Sequence, residues 1–172
     1  LDGKASSQEN VIQWNLAYSG NERPLYLLPI PFYHLPFPKA KALVGLPLAT
    51  YNGELKINGN EIKIDNWVGS QNHNWGTEHT NRYAWGQVAG FDNSQDSLCE
   101  IATAQVRLGL INSPRLTIMV LRHKGKEYLF NSLKGSITNR GRYSYFRWDF
   151  SANNGKEKIS GKIETDAANV IG

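Results

Sequence analysis

Residues 53–64 read Gly53-Glu54-Leu55-Lys56-Ile57-Asn58-Gly59-Asn60-Glu61-Ile62-Lys63-Ile64. Leu55 and Ile57 alternate with Glu54 and Lys56, and Ile62 and Ile64 with Glu61 and Lys63. Each run is therefore a strand with one face for a core and one for water. Asn58-Gly59 between them tolerates the positive φ of a two-residue hairpin turn. The same period of two returns at Ile12, Trp14, Leu16 and Tyr18, and again at Ile159, Gly161 and Ile163. No segment repeats apolar residues at i, i+3, i+4 and i+7, so helix is expected to be minor.

Working outward, the pattern predicts about ten strands, near 11–18, 43–50, 53–57, 61–64, 82–91, 98–106, 116–123, 127–132, 142–150 and 158–165. Asp92-Asn93, Lys124-Gly125-Lys126 and Asn153-Asn154-Gly155 supply further turns. An antiparallel sheet of that size closes or folds over to remove its edges. The expected fold is all-β, an antiparallel barrel or barrel-like sandwich of about eight to ten strands with room for a small ligand. Pro29, Pro31, Pro36 and Pro38 deny a ladder its donors, so that segment is expected to be an aromatic loop or lid. Read as one strand, residues 142–150 place Tyr143, Tyr145 and Arg147 on one face and Phe146, Trp148 and Phe150 on the other. Two aromatic faces call for two apolar environments, the second being a covering loop, a second domain or a partner copy; alternatively the tyrosines decorate a surface.

Composition narrows the class. The chain has 172 residues, 40% of them hydrophobic, enough for a core and of a length for one domain. No run of some 18 apolar residues spans a membrane. No basic segment followed by an apolar stretch opens the chain, which starts at Leu1 without Met, as a mature product or a domain cut from something longer would. The net charge of +4 and pI near 9.2 come from Lys and Arg spread along strands, as at Lys56, Lys63, Lys158 and Lys162. That is a solvated face, and no nucleic-acid partner is expected. The single Cys99 excludes an internal disulfide framework and a multi-cysteine metal site, and reads as a small core residue.

The densest chemistry lies in residues 67–87, which hold Trp67, Trp75 and Trp85 of the five Trp and His73 and His79 of the four His. So many large aromatics and neutral polar groups are costly to expose and costly to bury unpaired, which marks a site. W-x-G-S-x-N-H-N-W-G at 67–76, preceded by the 53–64 hairpin and followed by Tyr83-Ala84-Trp85-Gly86-Gln87, resembles the central motif of a lipocalin-like superfamily. That superfamily includes carotenoid 1,2-hydratases (hydroxyneurosporene synthases), AttH-type proteins and plant tocopherol cyclases. The likeness covers roughly residues 46–165. It implies a single lipocalin-like β domain over 1–172, where members commonly have two such domains. It also implies a cavity for an isoprenoid, quinone or lipid-like molecule. Hydratase-like members carry acid-His-acid-Trp, which Asn72-His73-Asn74-Trp75 matches with both acids replaced by amides. Cyclase-like members carry Asn-Trp-Gly, matched by Asn74-Trp75-Gly76, with an acid two residues earlier where this chain has Asn72.

Two function classes follow. One is a binding protein for an apolar small molecule, with Trp67, Asn72, His73, Asn74, Trp75, Trp85 and Gln87 as its contacts. The other is an isoprenoid hydratase or cyclase that protonates an alkene and uses aromatic faces to stabilise the cation. Its acid would be His73 or Glu78, with Asp65 and Asp149 as further candidates. Loss of both motif acids favours binding, whereas a buried Glu78 or Asp65 with a raised pKa would favour the enzyme. A structural reading stands beside both: Asn72, His73 and Asn74 satisfy backbone groups where a strand enters the barrel, and Trp67, Trp75 and Trp85 plug its end. Trp14 and Trp148 read as core. His73 and His79, six residues apart without a carboxylate triad, do not make a metal site. Ser70 lacks a nucleophile elbow and no Gly-rich loop precedes a helix, so no cofactor is expected. A second lipocalin-like domain or a second copy is the expected macromolecular partner.

Overall fold

The computed structural model describes residues 1–80, 82–108 and 111–170. Along them run β1 (Asp2–Ser6), β2 (Val11–Ser19), α1 (Pro31–His34), β3 (Ala40–Ile57), β4 (Asn60–Gly76), β5 (Arg82–Phe91), β6 (Ser94–Gln105), β7 (Arg107–Leu108) and β8 (Ile111–Asn112). There follow β9 (Leu116–His123), β10 (Lys126–Phe130), α2 (Leu133–Thr138), β11 (Arg140–Ser144), β12 (Arg147–Asn153), β13 (Lys158–Glu164) and a 3₁₀ turn at Ala167–Asn169. Among the described residues no helix is long and apolar enough to cross a membrane.

The fold is all-β and antiparallel, as the alternation requires. The strands form sheets ordered β1-β2-β3-β4, β10-β9-β6-β5 and β11-β12-β13, with β7 and β8 paired alone. No one of these sheets closes on itself among the described residues. Contacts group the chain into two compact units, 1–25 with 44–72 and 26–43 with 73–172.

The first unit is built on the hairpin of residues 53–64. Asn58 and Gly59 take φ of 50° and 88°, the left-handed pair that a two-residue turn demands. β2 pairs along β3 from Ile12 opposite Ile57 to Ser19 opposite Thr50, and β1 lies on the outer edge of β2. Leu25, Val44, Ala49 and Ile64 are its buried apolar residues. The strands expected at 43–50 and 53–57 are one continuous β3. β4 likewise runs past 64 through the whole motif to Gly76. Polar Asn and Gln argue against a strand by propensity, but backbone pairing along a long hairpin overrides that weak preference.

The second unit carries the larger core. Cys99, Ile101, Met119, Phe130, Trp148 and Ala152 pack together, flanked by Ala84, Val88, Leu121, Tyr128 and Phe150. Burying each large side chain contributes about 1.5–3 kcal/mol. Gly86 makes this packing possible on β5: a Cβ there would meet Ile163 Cδ1 at 2.9 Å and Trp148 Cζ3 at 3.2 Å. The Cys99 thiol is pushed up to about 12 by burial, so it stays protonated inside the core.

Residues 142–150 are not one strand. The chain turns at Tyr145-Phe146, with Phe146 at φ 69°, and β11 pairs back on β12 from Ser144 opposite Arg147 to Arg140 opposite Ser151. Tyr145 is 91% exposed at that turn. Alternation cannot reveal such a break, because a two-residue turn preserves the period of two and neither residue is a turn former. α2 was equally invisible: six residues give no helical repeat, and it is held by Ser132, whose Oγ accepts from Gly135 N–H at 3.0 Å. Just after it, buried Asn139 donates to the carbonyls of Thr117 and Phe130 and accepts from Asn153 N–H, so one amide ties β9, β10 and β12.

Candidate aromatic-carboxyl site

The sheet β10-β9-β6-β5 has two faces, and register assigns each residue to one of them. Gly86 opposes Ile101 and Val88 opposes Cys99 on the core face. On the other face Trp85 opposes Ala102 and Gln87 opposes Glu100, with Val120 beyond Glu100 on β9. Trp85-Gly86-Gln87 is thus divided by the pleat, its glycine toward the core and its two large residues toward the opposite side.

Glu100 is the anchor of that second face. It is 1% exposed. Trp85 Nε1–H donates to Glu100 Oε1 at 3.0 Å, along the diagonal of adjacent strands. Glu100 Oε2 is buried with no hydrogen-bond partner among the described residues. Burial raises the carboxyl from 4.5 to about 7, opposed by the Trp85 hydrogen bond, which favours the charged form.

An aromatic group stands near it, delivered by the proline segment and by the end of β4. The proline segment folds into the single turn α1, whose Tyr33 hydroxyl donates to Ala42 carbonyl at 2.8 Å and accepts from Leu28 N–H at 3.3 Å. Buried Asn131 fixes the approach to this turn by donating to Leu27 carbonyl at 3.0 Å. Tyr33 lies edge-on to Tyr26 at 5.4 Å and tilted against Trp75 at 5.9 Å, and Trp75 stacks on His73 at 5.3 Å. His73 and Trp75 meet because β4 continues through them, putting residues i and i+2 on one face; Asn72 and Asn74 take the other. The Tyr33 hydroxyl is pushed up to about 12, chiefly by burial and further by the nearby charge of Glu100 and by Tyr26. It remains a neutral donor at any ordinary pH.

The expected site residues are therefore distributed as follows. His73 and Trp75 are in contact within the second unit. Trp85 and Gln87 lie on the Glu100 face. Trp75 is 38% and Trp85 45% exposed, so neither is a sealed plug. Trp67 is about half exposed and belongs to the first unit, as does Asn72, which donates to Ser70 Oγ at 3.2 Å. Asn74 is exposed. Glu78 is exposed and ion-paired with Lys39. Asp65 is exposed and accepts from Asn66, and Asp149 is held by Arg147 through two bonds of 2.8 Å. No acid named from the sequence is buried. Among the described residues no three His, Cys, Asp or Glu side chains gather to hold a metal. A groove of about 350 Å³ lies on the hairpin of the first unit, lined by Ile62 and Ile64 together with Asn52, Gly53, Glu54, Glu61, Lys63 and Asp65.

Sequence reading passed over Glu100, Tyr33 and Tyr26. The sign for Glu100 was present, since it is the lone charge in the apolar run Leu98-Cys99-Glu100-Ile101. Tyr33 offered only its place in the segment read as an aromatic loop or lid, because what it meets depends on where that segment folds.

The family model described as tocopherol cyclase-like matches residues 34–171 of this chain. No curated protein and no solved structure matches it. The matched span includes the motif at the end of β4, Tyr33's neighbour His34, and the whole β5-β6 face. The chain belongs to the tocopherol cyclase-like family.

Proposed function

We propose that this member of the tocopherol cyclase-like family binds an apolar, isoprenoid-like small molecule against Tyr33, Trp75 and Trp85. The observation that carries the reading is the partly exposed aromatic group of Tyr26, Tyr33 and Trp75, together with Trp85 bonded to buried Glu100 on a sheet face opposite the core. Large apolar rings left partly open around one or two polar groups are the makings of a small-molecule site. Asn74, His73 and Gln87 are candidate orienting contacts for the bound molecule.

Mass spectrometry of an organic extract tests this directly. Protein purified from its producing cells should release an apolar compound that a Trp75→Ala variant lacks. Equal, empty extracts, together with no quenching of tryptophan fluorescence by an added prenylated quinone, would refute it.

The enzymatic reading, hydration or cyclisation of the bound isoprenoid, is favoured by one observation. A carboxyl is buried among aromatic residues although both motif acids are amides.

A further inference from the structure

We infer that the outward face of α2, with the turn of residues 153–157 beside it, is a docking patch for the surface of an anionic lipid bilayer. The helix is oriented against its own hydrophobicity. It packs Gly135 and Ser136 into the second unit and leaves Leu133 and Ile137 outward, 66% and 63% exposed. Spaced i and i+4, those two side chains lie on one face of the helix. A helix that served only the core would bury its large apolar residues and expose its small polar ones. Leu129, also exposed, adjoins Phe130, whose carbonyl accepts from Asn139 at the end of α2. Leu129, Leu133 and Ile137 thus stand open around one short helix, an apolar surface that the fold of the second unit does not use.

Charge decides what covers the patch. No Asp or Glu occurs in residues 128–148, and exposed Lys134 and Arg140 flank the helix. The turn of residues 153–157 adds exposed Lys156. That turn is pinned in place: Asn153 N–H donates to Asn139 Oδ1 at 3.0 Å, Asn154 Nδ2 donates to the Leu129 carbonyl at 3.3 Å, and Lys156 N–H donates to Asn154 Oδ1 at 3.0 Å. Among the described residues no carboxylate pairs with Lys134, Arg140 or Lys156, and Glu157, the acid of the turn, is held by Lys126 at 3.4 Å. Aliphatic side chains rimmed by free cations match an anionic bilayer, where the apolar groups enter the boundary below the headgroups and the cations meet the headgroup charge. A second copy docked by the same face would set Lys134, Arg140 and Lys156 against the identical cations of its partner, and that repulsion opposes the apolar contact. With so small an apolar area the attachment is reversible and needs both contributions. It holds independently of what Tyr33, Trp75 and Trp85 bind.

Vesicle flotation with the whole chain tests this. Phosphatidylcholine vesicles containing about 30% phosphatidylglycerol should bind the protein at about 50 mM salt at least about tenfold more tightly than phosphatidylcholine alone, and release most of it at about 500 mM. Leu133→Ser and Ile137→Ser, at open positions where the urea midpoint should stay in place, should each weaken binding about fivefold or more. Lys134→Gln should weaken it about fivefold, the worth of one cation at such a surface, and it touches no packing. Loss of binding in Lys134→Gln at an unchanged urea midpoint therefore supports the inference whatever the apolar variants do to folding. No binding of wild type to the anionic vesicles, or wild-type binding by all three variants, would overturn it. A dimer in sedimentation equilibrium that Ile137→Ser dissolves would overturn it as well, by showing that a second copy covers the patch.

Discussion

At the scale of the residue, Glu100 sets a pH dependence with a definite sign. Its carboxyl rises from an ordinary 4.5 to about 7 in the folded state, so between those values the native protein holds more protons than the unfolded chain. Stability from this group is full below about pH 4.5 and is lost as pH rises through about 7, a change of about 3 kcal/mol. Urea unfolding at stepped pH should show that fall in wild type and its loss in Glu100→Gln; parallel curves for the two proteins would place the ionisation elsewhere. Trp75 makes a different prediction. It touches Tyr33 and His73 but is more than a third exposed, so Trp75→Ala should weaken ligand binding about tenfold or more while lowering stability by only about 1 kcal/mol. Asn74→Ala, at an exposed position, should leave stability within about 0.5 kcal/mol, with any loss falling on affinity. Titration of a quinone into the three proteins, beside their urea midpoints, separates these effects.

At the scale of the element, the second unit is held by polar clamps as much as by its apolar core. Asn139 is buried and bonded to three backbone groups of β9, β10 and β12, none of which has water to turn to if the amide is removed. Asn139→Ala should cost about 2–4 kcal/mol in urea unfolding, more than an exposed cap would, and a loss below about 1 kcal/mol would mean the strands re-pair without it. The β5-β6 pair shows why the site is where it is. Trp85, Gln87 and Glu100 share a face because the pleat alternates, and Gly86 between them admits Trp148 on the other side. Much of this was readable: the strands at 11–18, 82–91 and 116–123 lie close to where alternation put them. The turn at Tyr145-Phe146 was not, since it interrupts the strand without interrupting the period.

At the scale of the whole molecule, the charge of +4 is distributed over solvated strand faces and the candidate site is apolar and aromatic. Ligand affinity should therefore change by less than about twofold between 50 mM and 500 mM salt, whereas a partner held through several phosphates would lose orders of magnitude over that range. A steep salt slope in a quenching titration would contradict an apolar ligand. The family assignment spans residues 34–171 and so takes in nearly all of the second unit and the hairpin of the first.

What the sequence determined by itself was local and periodic. Alternation made the chain all-β and antiparallel, Asn58-Gly59 placed its hairpin turn, and the spacing of Trp67, Trp75 and Trp85 around an Asn-His-Asn core marked the family. Only the tertiary structure decided which acid is buried. A carboxyl's environment depends on neighbours distant in sequence: Trp85 lies 15 residues from Glu100, and Tyr33 comes from another part of the chain. Hydrophobic periodicity records which face a residue takes, but burial and unmet hydrogen bonding arise only when other elements cover that face. Those are what distinguish Glu100 from Glu78.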